Sequence, residues 1–150
     1  MIRVQREDFD PGREIEHLTR GKTAIGGIVS FIGTVRGGAD GVRAMTLEHY
    51  PGMTEQALRE IEEEANKRWQ LDASLIVHRY GELAPGARIV LVVTAAAHRA
   101  AAFEACEFLV DWLKTKAPFW KQEETPEGTR WIEAEASDDA AAKRWAPKLR

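Results

Sequence analysis

The chain has 150 residues, 44% of them apolar and 30% charged, and its 21 Lys and Arg against 24 Asp and Glu leave a formal charge of −3. That length suits one domain spanning 1–150 with a real core, and the composition excludes a disordered chain; no apolar run reaches the roughly 20 residues that a bilayer requires. A mild acidic excess gives no general attraction to nucleic acid or to a membrane surface, so an anion site has to come from local clustering.

The opening stretch, MIRVQREDFDPG, mixes acids with bases and lacks the apolar core of an export signal, so a cytoplasmic protein is expected. Thr23 to Arg36 is rich in Ile, Val and Phe with interspersed glycines, which predicts a bent or bulged strand. GGADG, Gly37 to Gly41, is a loop, and Val42 to Tyr50 alternates as the returning strand. After Pro51-Gly52 a helix is expected from about Thr54 to Trp69, with Ala57, Leu58, Ile61, Ala65 and Trp69 at helical spacing and Glu62 to Glu64 on a solvated flank. Ala73 to Tyr80 and Ala87 to Ala95 form a hairpin joined through Pro85-Gly86. A second helix runs from about Arg99 to Lys116 and is stopped by Pro118. Phe119 to Glu124 and Thr129 to Glu135 flank TPEG as a last hairpin, and Ser137-Asp138-Asp139 caps a short helix through about Trp145. Strands and helices in mixed order with hairpins predict an α+β fold.

The second helix carries the chemistry. Phe103, Cys106, Val110 and Leu113 fall on one stripe, widened by Ala102 and Leu109, which predicts the core face. Cys106, the only cysteine, sits in that stripe and reads as a small buried hydrophobe; it leaves no internal disulfide and no multi-cysteine metal site. Lys114 projects from the stripe's edge with a partly buried stem. Its plain reading is a lysine whose amine satisfies the helix C-terminus. Lys121, three residues past Pro118, is within reach of the same pocket, and Lys116 faces water. Phe119 and Lys121 share one face of the extended segment, with Trp120 on the other, in the core.

At the helix's other end, Ala97-His98-Arg99 joins free backbone N–H groups to two donor side chains, a competent anion site for a group such as phosphate. The alternative is that His98 caps the helix and Arg99 meets a surface acid. Arg36 reads either as one more cation for an anion or as a surface strand end. His17, His49 and the His78-Arg79 pair lack ligand spacing and are assigned to structure, so neither a metal nor a cofactor is expected.

Five segments in order, FIGTVR (Phe31 to Arg36), LEHYPGM (Leu47 to Met53), HRYGEL (His78 to Leu83), AHRAAAFEA (Ala97 to Ala105) and LKTKAPFWKQE (Leu113 to Glu123), resemble the large, catalytic subunits of molybdopterin synthase, the MoaE family. The resemblance spans about Ala24 to Trp131. It implies an α/β hammerhead-like domain with an added antiparallel sheet. It also implies a sulfurtransferase that converts cyclic pyranopterin monophosphate to the molybdopterin dithiolene in molybdenum cofactor biosynthesis. The sulfur would come as a C-terminal thiocarboxylate on a small ubiquitin-like carrier, with two large subunits as a homodimer inside a heterotetramer. Such a source suits a sulfurtransferase whose one thiol lies in a core stripe. Carried over by motif, Lys114 and Lys121 are catalytic, and Thr34, Val35, Arg36, His98, Arg99, Lys114, Lys121, Gln122 and Glu123 bind substrate. A lysine amine at neutral pH is almost wholly ammonium, so a reactive one needs cationic neighbours or burial; Lys121, Arg36 and Arg99 are expected to crowd Lys114. Two other readings stay open: a non-catalytic adaptor that grips a ubiquitin-like tail, and a lysine-dependent phosphate-ester enzyme without a protein partner.

Overall fold

The structure is a computed structural model that describes residues 1–38, 43–132 and 136–146, with only the backbone of 136–139. The elements are β1 (Ile2–Gln5), α1 (Pro11–Thr19), β2 (Gly27–Thr34), β3 (Ala44–His49), α2 (Met53–Trp69), β4 (Ala73–Arg79), β5 (Gly81–Leu83), β6 (Arg88–Ala96), α3 (Arg99–Thr115), β7 (Phe119–Thr125), β8 (Gly128–Ile132) and α4 (Ala136–Lys143). They form two four-stranded sheets, ordered β1-β4-β6-β2 and β5-β3-β7-β8. The second is antiparallel throughout, and the first is antiparallel except for the parallel β1–β4 pair. The fold is α+β, as expected.

β4 and β6 pair from Ala73↔Ala95 to His78↔Val90 and are buried almost end to end, because helices cover both faces of their sheet. On one face Phe9, Ile15 and Leu18 pack against Leu75, Val77, Leu91 and Val93. On the other, Leu58, Ala65, Cys106 and Leu109 meet Ile76 and Val92. The short strand β5 sits inside the expected hairpin connection. Gly81, at φ +94, turns the chain there so that β5 leaves the first sheet and pairs with β3 in the second.

Several expectations are corrected. β3 does not return along β2: β2 pairs with β6, and its register shifts between Gly33 and Thr34 at the expected bulge. Beyond it, Val35 is tied to the β5–β6 turn, its N–H donating to Ala87 O at 2.9 Å and its O accepting from Gly86 N–H at 2.7 Å, which steers the chain toward the second sheet. Phe103 is 61% exposed, since Ala102, Ala105, Cys106 and Leu109 form the stripe that meets the sheet. Trp120 is 37% exposed and stands edge-on to Tyr50 at 4.1 Å. Glu62 is not solvated: it accepts from Ser74 Oγ at 2.7 Å and pairs with the Met1 ammonium. α4 starts at Ala136, which puts Ser137 inside the first turn instead of at the cap. Residues 39–42 and 133–135, including parts of the expected loop and last strand, lie outside the described residues.

Besides β5, two elements were not foreseen. Asp10 caps α1, its Oδ1 accepting from Arg13 N–H at 3.2 Å with Pro11 at the first helical position. β1 runs alongside β4 from Ile2↔Ile76 to Gln5↔Arg79.

Candidate functional site

The C-terminal end of α3 is fixed by a buried hydroxyl. Thr54, fully buried at the start of α2, accepts from Tyr50 N–H at 3.0 Å and donates to Pro118 O at 3.1 Å. The turn between α3 and β7 is thereby pinned, and with it the first residues of β7. Strand alternation then sends Phe119, Lys121 and Glu123 to one face. Phe119 lies flat on the His78 ring, 3.8 Å between centroids and 18° between planes, which sets Lys121 beside that imidazole.

Lys121 and Lys114 line one narrow cleft. Its other walls are Phe31 and Gly33 of β2, Ile89 and Val90 of β6, Val110 and Leu113 of α3, and His78 of β4. Gly33 contributes bare backbone, because a Cβ there would lie 2.8 Å from Val90 Cγ1. Lys114 lines the cleft but is exposed, so its stem is less buried than expected. Apolar walls around ammonium groups strengthen their attraction for an anion by excluding water.

His78 is 4% exposed, and its basicity is depressed to about 3, first by burial and then by the nearby charges of Lys121, Lys114 and His49; its hydrogen bond to Arg79 O works the other way. This imidazole is neutral at physiological pH. Spacing could not reveal it, because its partners come from three other elements, β3, α3 and β7; the adjacent Arg79 is structural, binding Arg6 O and Arg88 O. Cys106 is 4% exposed, and burial pushes its thiol up to about 11, so it stays protonated and inert, as expected of a buried hydrophobe.

The other predicted residues divide between the two ends of α3. Gly33 lines the cleft, so Thr34, Val35 and Arg36 leave β2 at the lysine end. Thr34 and Arg36 are exposed, but Val35 is 2% exposed and in the core, with only its backbone turned to other uses. Glu123 shares the face of Lys121 and pairs with Arg130 at 2.9 Å, whereas Gln122 occupies the opposite face. His98 and Arg99 are exposed at the N-terminus of α3, and the His98 side chain does not cap it. At about 1.5 Å per residue, they stand about 24 Å from Lys114. One chain therefore does not bring His98 and Arg99 to the lysines, and Arg99 does not crowd Lys114. Among the described residues no group of three or more His, Cys, Asp and Glu could hold a metal ion.

A two-sheet α+β frame with two lysines lining one apolar cleft, a second cationic end and a buried thiol is an arrangement suited to an anion, with the chain's one thiol out of reach of the cleft. The chain belongs to the MoaE protein family, whose model matches residues 4–116. It is 56% identical over 146 residues to the molybdopterin synthase catalytic subunit of Pseudomonas aeruginosa, covering 96% of this chain and 97% of that one. To the same subunit of Escherichia coli K12 it is 53% identical, with coverage of 96% and 97%. The solved molybdopterin biosynthesis MoaE protein of Burkholderia ambifaria superposes with a TM-score of 0.84 at 51% identity, covering 99% of each chain.

Proposed function

We propose that this protein is the catalytic subunit of a molybdopterin synthase. It transfers sulfur from the C-terminal thiocarboxylate of a small ubiquitin-like subunit to cyclic pyranopterin monophosphate, forming the molybdopterin dithiolene. The observation that carries this reading is the pairing of Lys114 and Lys121 in one apolar cleft while the chain's one thiol is buried and protonated. Sulfur then has to arrive on a partner, and a cationic cleft suits both a carboxylate-like tail and a phosphate ester.

In this reading Lys114 assists attack of the thiocarboxylate sulfur on the pterin side chain, and Lys121 holds the anion. Each transfer makes a carbon–sulfur bond on the substrate as a carbon–oxygen bond breaks, in one case opening the cyclic phosphate ester and in the other losing the oxygen as water; hydrolysis of the acyl–sulfur bond then leaves the carrier as a carboxylate. Thr34, Val35 and Arg36, which follow Gly33 of the cleft wall, and Glu123, on the face of Lys121, are assigned to the substrate in this reading together with Gln122, which occupies the other face of β7. His98 and Arg99 take the phosphate from a second copy of the chain, because about 24 Å separates them from Lys114 within one copy. The working assembly is a homodimer with two small subunits, in the cytoplasm, each large chain acting as one domain. No helix among the described residues is long and apolar enough to cross a membrane.

The test is to combine the purified chain with thiocarboxylated small subunit and cyclic pyranopterin monophosphate, and to follow dithiolene by mass spectrometry. Product requires all three components. Tail binding without turnover would leave the adaptor reading, and a borohydride-trapped imine formed without the carrier would favour the lysine enzyme. Mixing Lys114→Ala chains with Arg99→Ala chains tests the shared site at substrate well below the KM of Arg99→Ala, where mixed dimers regain one intact site and activity rises above that of either variant alone.

A further inference from the structure

Thr54 stands fully buried in the first turn of α2, and its hydroxyl makes both of its hydrogen bonds outside that helix. Oγ1 accepts from Tyr50 N–H at 3.0 Å and donates to Pro118 O at 3.1 Å. The β3–β7 ladder ends at His49↔Phe119, so Tyr50 and Pro118 lie one register position beyond it, and the hydroxyl bridges them. The platform beneath Thr54 is rigid. Its own N–H donates to Tyr50 O at 2.9 Å, Gly52 holds φ +84, and Gly52 N–H donates to the Glu55 carboxylate at 2.6 Å.

Pro118 lies four residues after Lys114 and three before Lys121, inside the turn that links them. Within that span Lys116 N–H closes α3 onto Trp112 O, and Phe119 N–H donates to Ala117 O, both at 2.8 Å. Those bonds shape the turn locally, whereas the Thr54 hydroxyl ties it to another helix. We infer that Thr54 is a positioning residue for the lysine cleft: through Pro118 O its hydroxyl fixes the turn that sets the spacing of Lys121 from Lys114. Thr54 does not itself line the cleft, so it acts on the lysines through the backbone and not on the substrate. The kinetic consequence rests on the proposed function; the fixed turn does not.

Two substitutions separate the hydroxyl from the bulk around it. Thr54→Val keeps the branched shape and removes both hydrogen bonds, whereas Thr54→Ser keeps the hydroxyl and loses a methyl group. If Thr54→Val does not fold, Thr54→Ala replaces it, differing from Thr54→Ser by the oxygen alone. Amide hydrogen exchange read by NMR tests the turn. In Thr54→Val the Tyr50 and Phe119 amides should speed up about tenfold more than those of β4 and β6, and in Thr54→Ser no more than those strands do. Tyr50 and Phe119 rates that rise only in step with β4 and β6 in Thr54→Val would overturn the inference whatever the chain's activity. The kinetic arm follows dithiolene formation well below each melting temperature. A reacting group misplaced by up to about 1 Å loses about tenfold to a hundredfold in rate, so Thr54→Val should lose that factor in kcat while Thr54→Ser stays within about threefold of wild type. Losses that track melting temperature in both variants would reduce Thr54 to a packing residue. A wild-type chain that forms no dithiolene would sink the proposed function and leave the exchange rates to decide the turn.

Discussion

The two ends of α3 carry the same kind of charge in different settings. At the C-terminal end Lys114 and Lys121 are set in walls drawn from five elements, with a buried imidazole and a pinned turn behind them. At the N-terminal end His98 and Arg99 stand exposed, supported by helix polarity and by the close approach of Gly26 and Gly27 on the neighbouring chain segment. An amine that borders an apolar cleft, as the exposed Lys114 and the half-buried Lys121 do, has fixed walls on one side to orient it, which is what a reacting group needs. An exposed guanidinium at a helix start binds an anion but does little to direct a reaction. Under the proposed function the lysine end would serve the chemical step and the other end grip, with a second copy of the chain bringing the two together.

The largest expected effect separates these roles. Lys114→Ala should lower kcat for dithiolene formation by about a hundredfold to ten-thousandfold, the range of a lost proton-transfer or amine-assisted step, with carrier binding retained. Lys114→Arg keeps the charge but cannot readily supply a neutral amine, so it should be nearly as slow. Activity close to wild type in Lys114→Ala would place the chemistry elsewhere.

Acid should weaken the lysine end first. An unfolded His78 takes up a proton as pH falls through about 6.5, while the folded one refuses it until about 3. The unfolded state therefore binds more protons across that window, and stability falls with falling pH there and is unaffected by this group above it. The loss reaches at most about 5 kcal/mol by pH 3. Denaturant unfolding of wild type and His78→Gln between pH 7 and 4 checks it: the wild type should show the steeper acid loss, and parallel curves would mean that the imidazole titrates normally.

A matched perturbation exists at the other end. A Cβ on Gly26 would lie 2.0 Å from Ala97 O, in the backbone that leads into His98 and Arg99. Gly26→Ala should cost about 2–3 kcal/mol, read as a lower melting temperature, and should raise KM while leaving kcat mostly intact. Arg99→Ala, which removes one charged grip on the substrate without moving backbone, should raise KM by about tenfold with kcat within about twofold. A fall in kcat without a change in KM for either variant would erase the distinction between the two ends.

The sequence was most legible where pattern is local. The apolar runs of β4 and β6, the amphipathic helices and the Pro118 stop all announce themselves in consecutive residues, and LKTKAPFWKQE placed both lysines correctly in one cleft. Illegible were features made by distant partners. Nothing near Ile2 to Gln5 says that it pairs in parallel with β4, and nothing near Val42 to Tyr50 says that its neighbours are β5 and β7. Periodicity put Phe103 in the core because a helix stripe has a width but no stated origin; the sheet selects Ala102, Ala105 and Leu109, and Phe103 falls outside. His78 looked like a plain strand residue because Phe119 and the lysines that give it meaning lie more than 35 positions away. Asp10-Pro11, by contrast, is a helix start legible in two consecutive residues, a capping carboxylate followed by proline.

The smallest expected effect bears on where the sulfur travels. Cys106 lies two turns before Lys114 on α3, about 12 Å along the helix, and faces the sheet within the core. A thiol held protonated by burial can neither attack an acyl carbon nor carry a persulfide to the cleft without unfolding the face that packs α3 onto the sheet. Cys106→Ala should therefore leave dithiolene formation within about twofold of wild type, at a cost of about 1 kcal/mol for the lost sulfur volume. Mass spectrometry of the chain during turnover should find no sulfur adduct at Cys106. A Cys106→Ala chain that folds normally but forms no product would mean that sulfur passes through the large subunit, and the lysine cleft would then bind the anion without being the place where the carbon–sulfur bond forms.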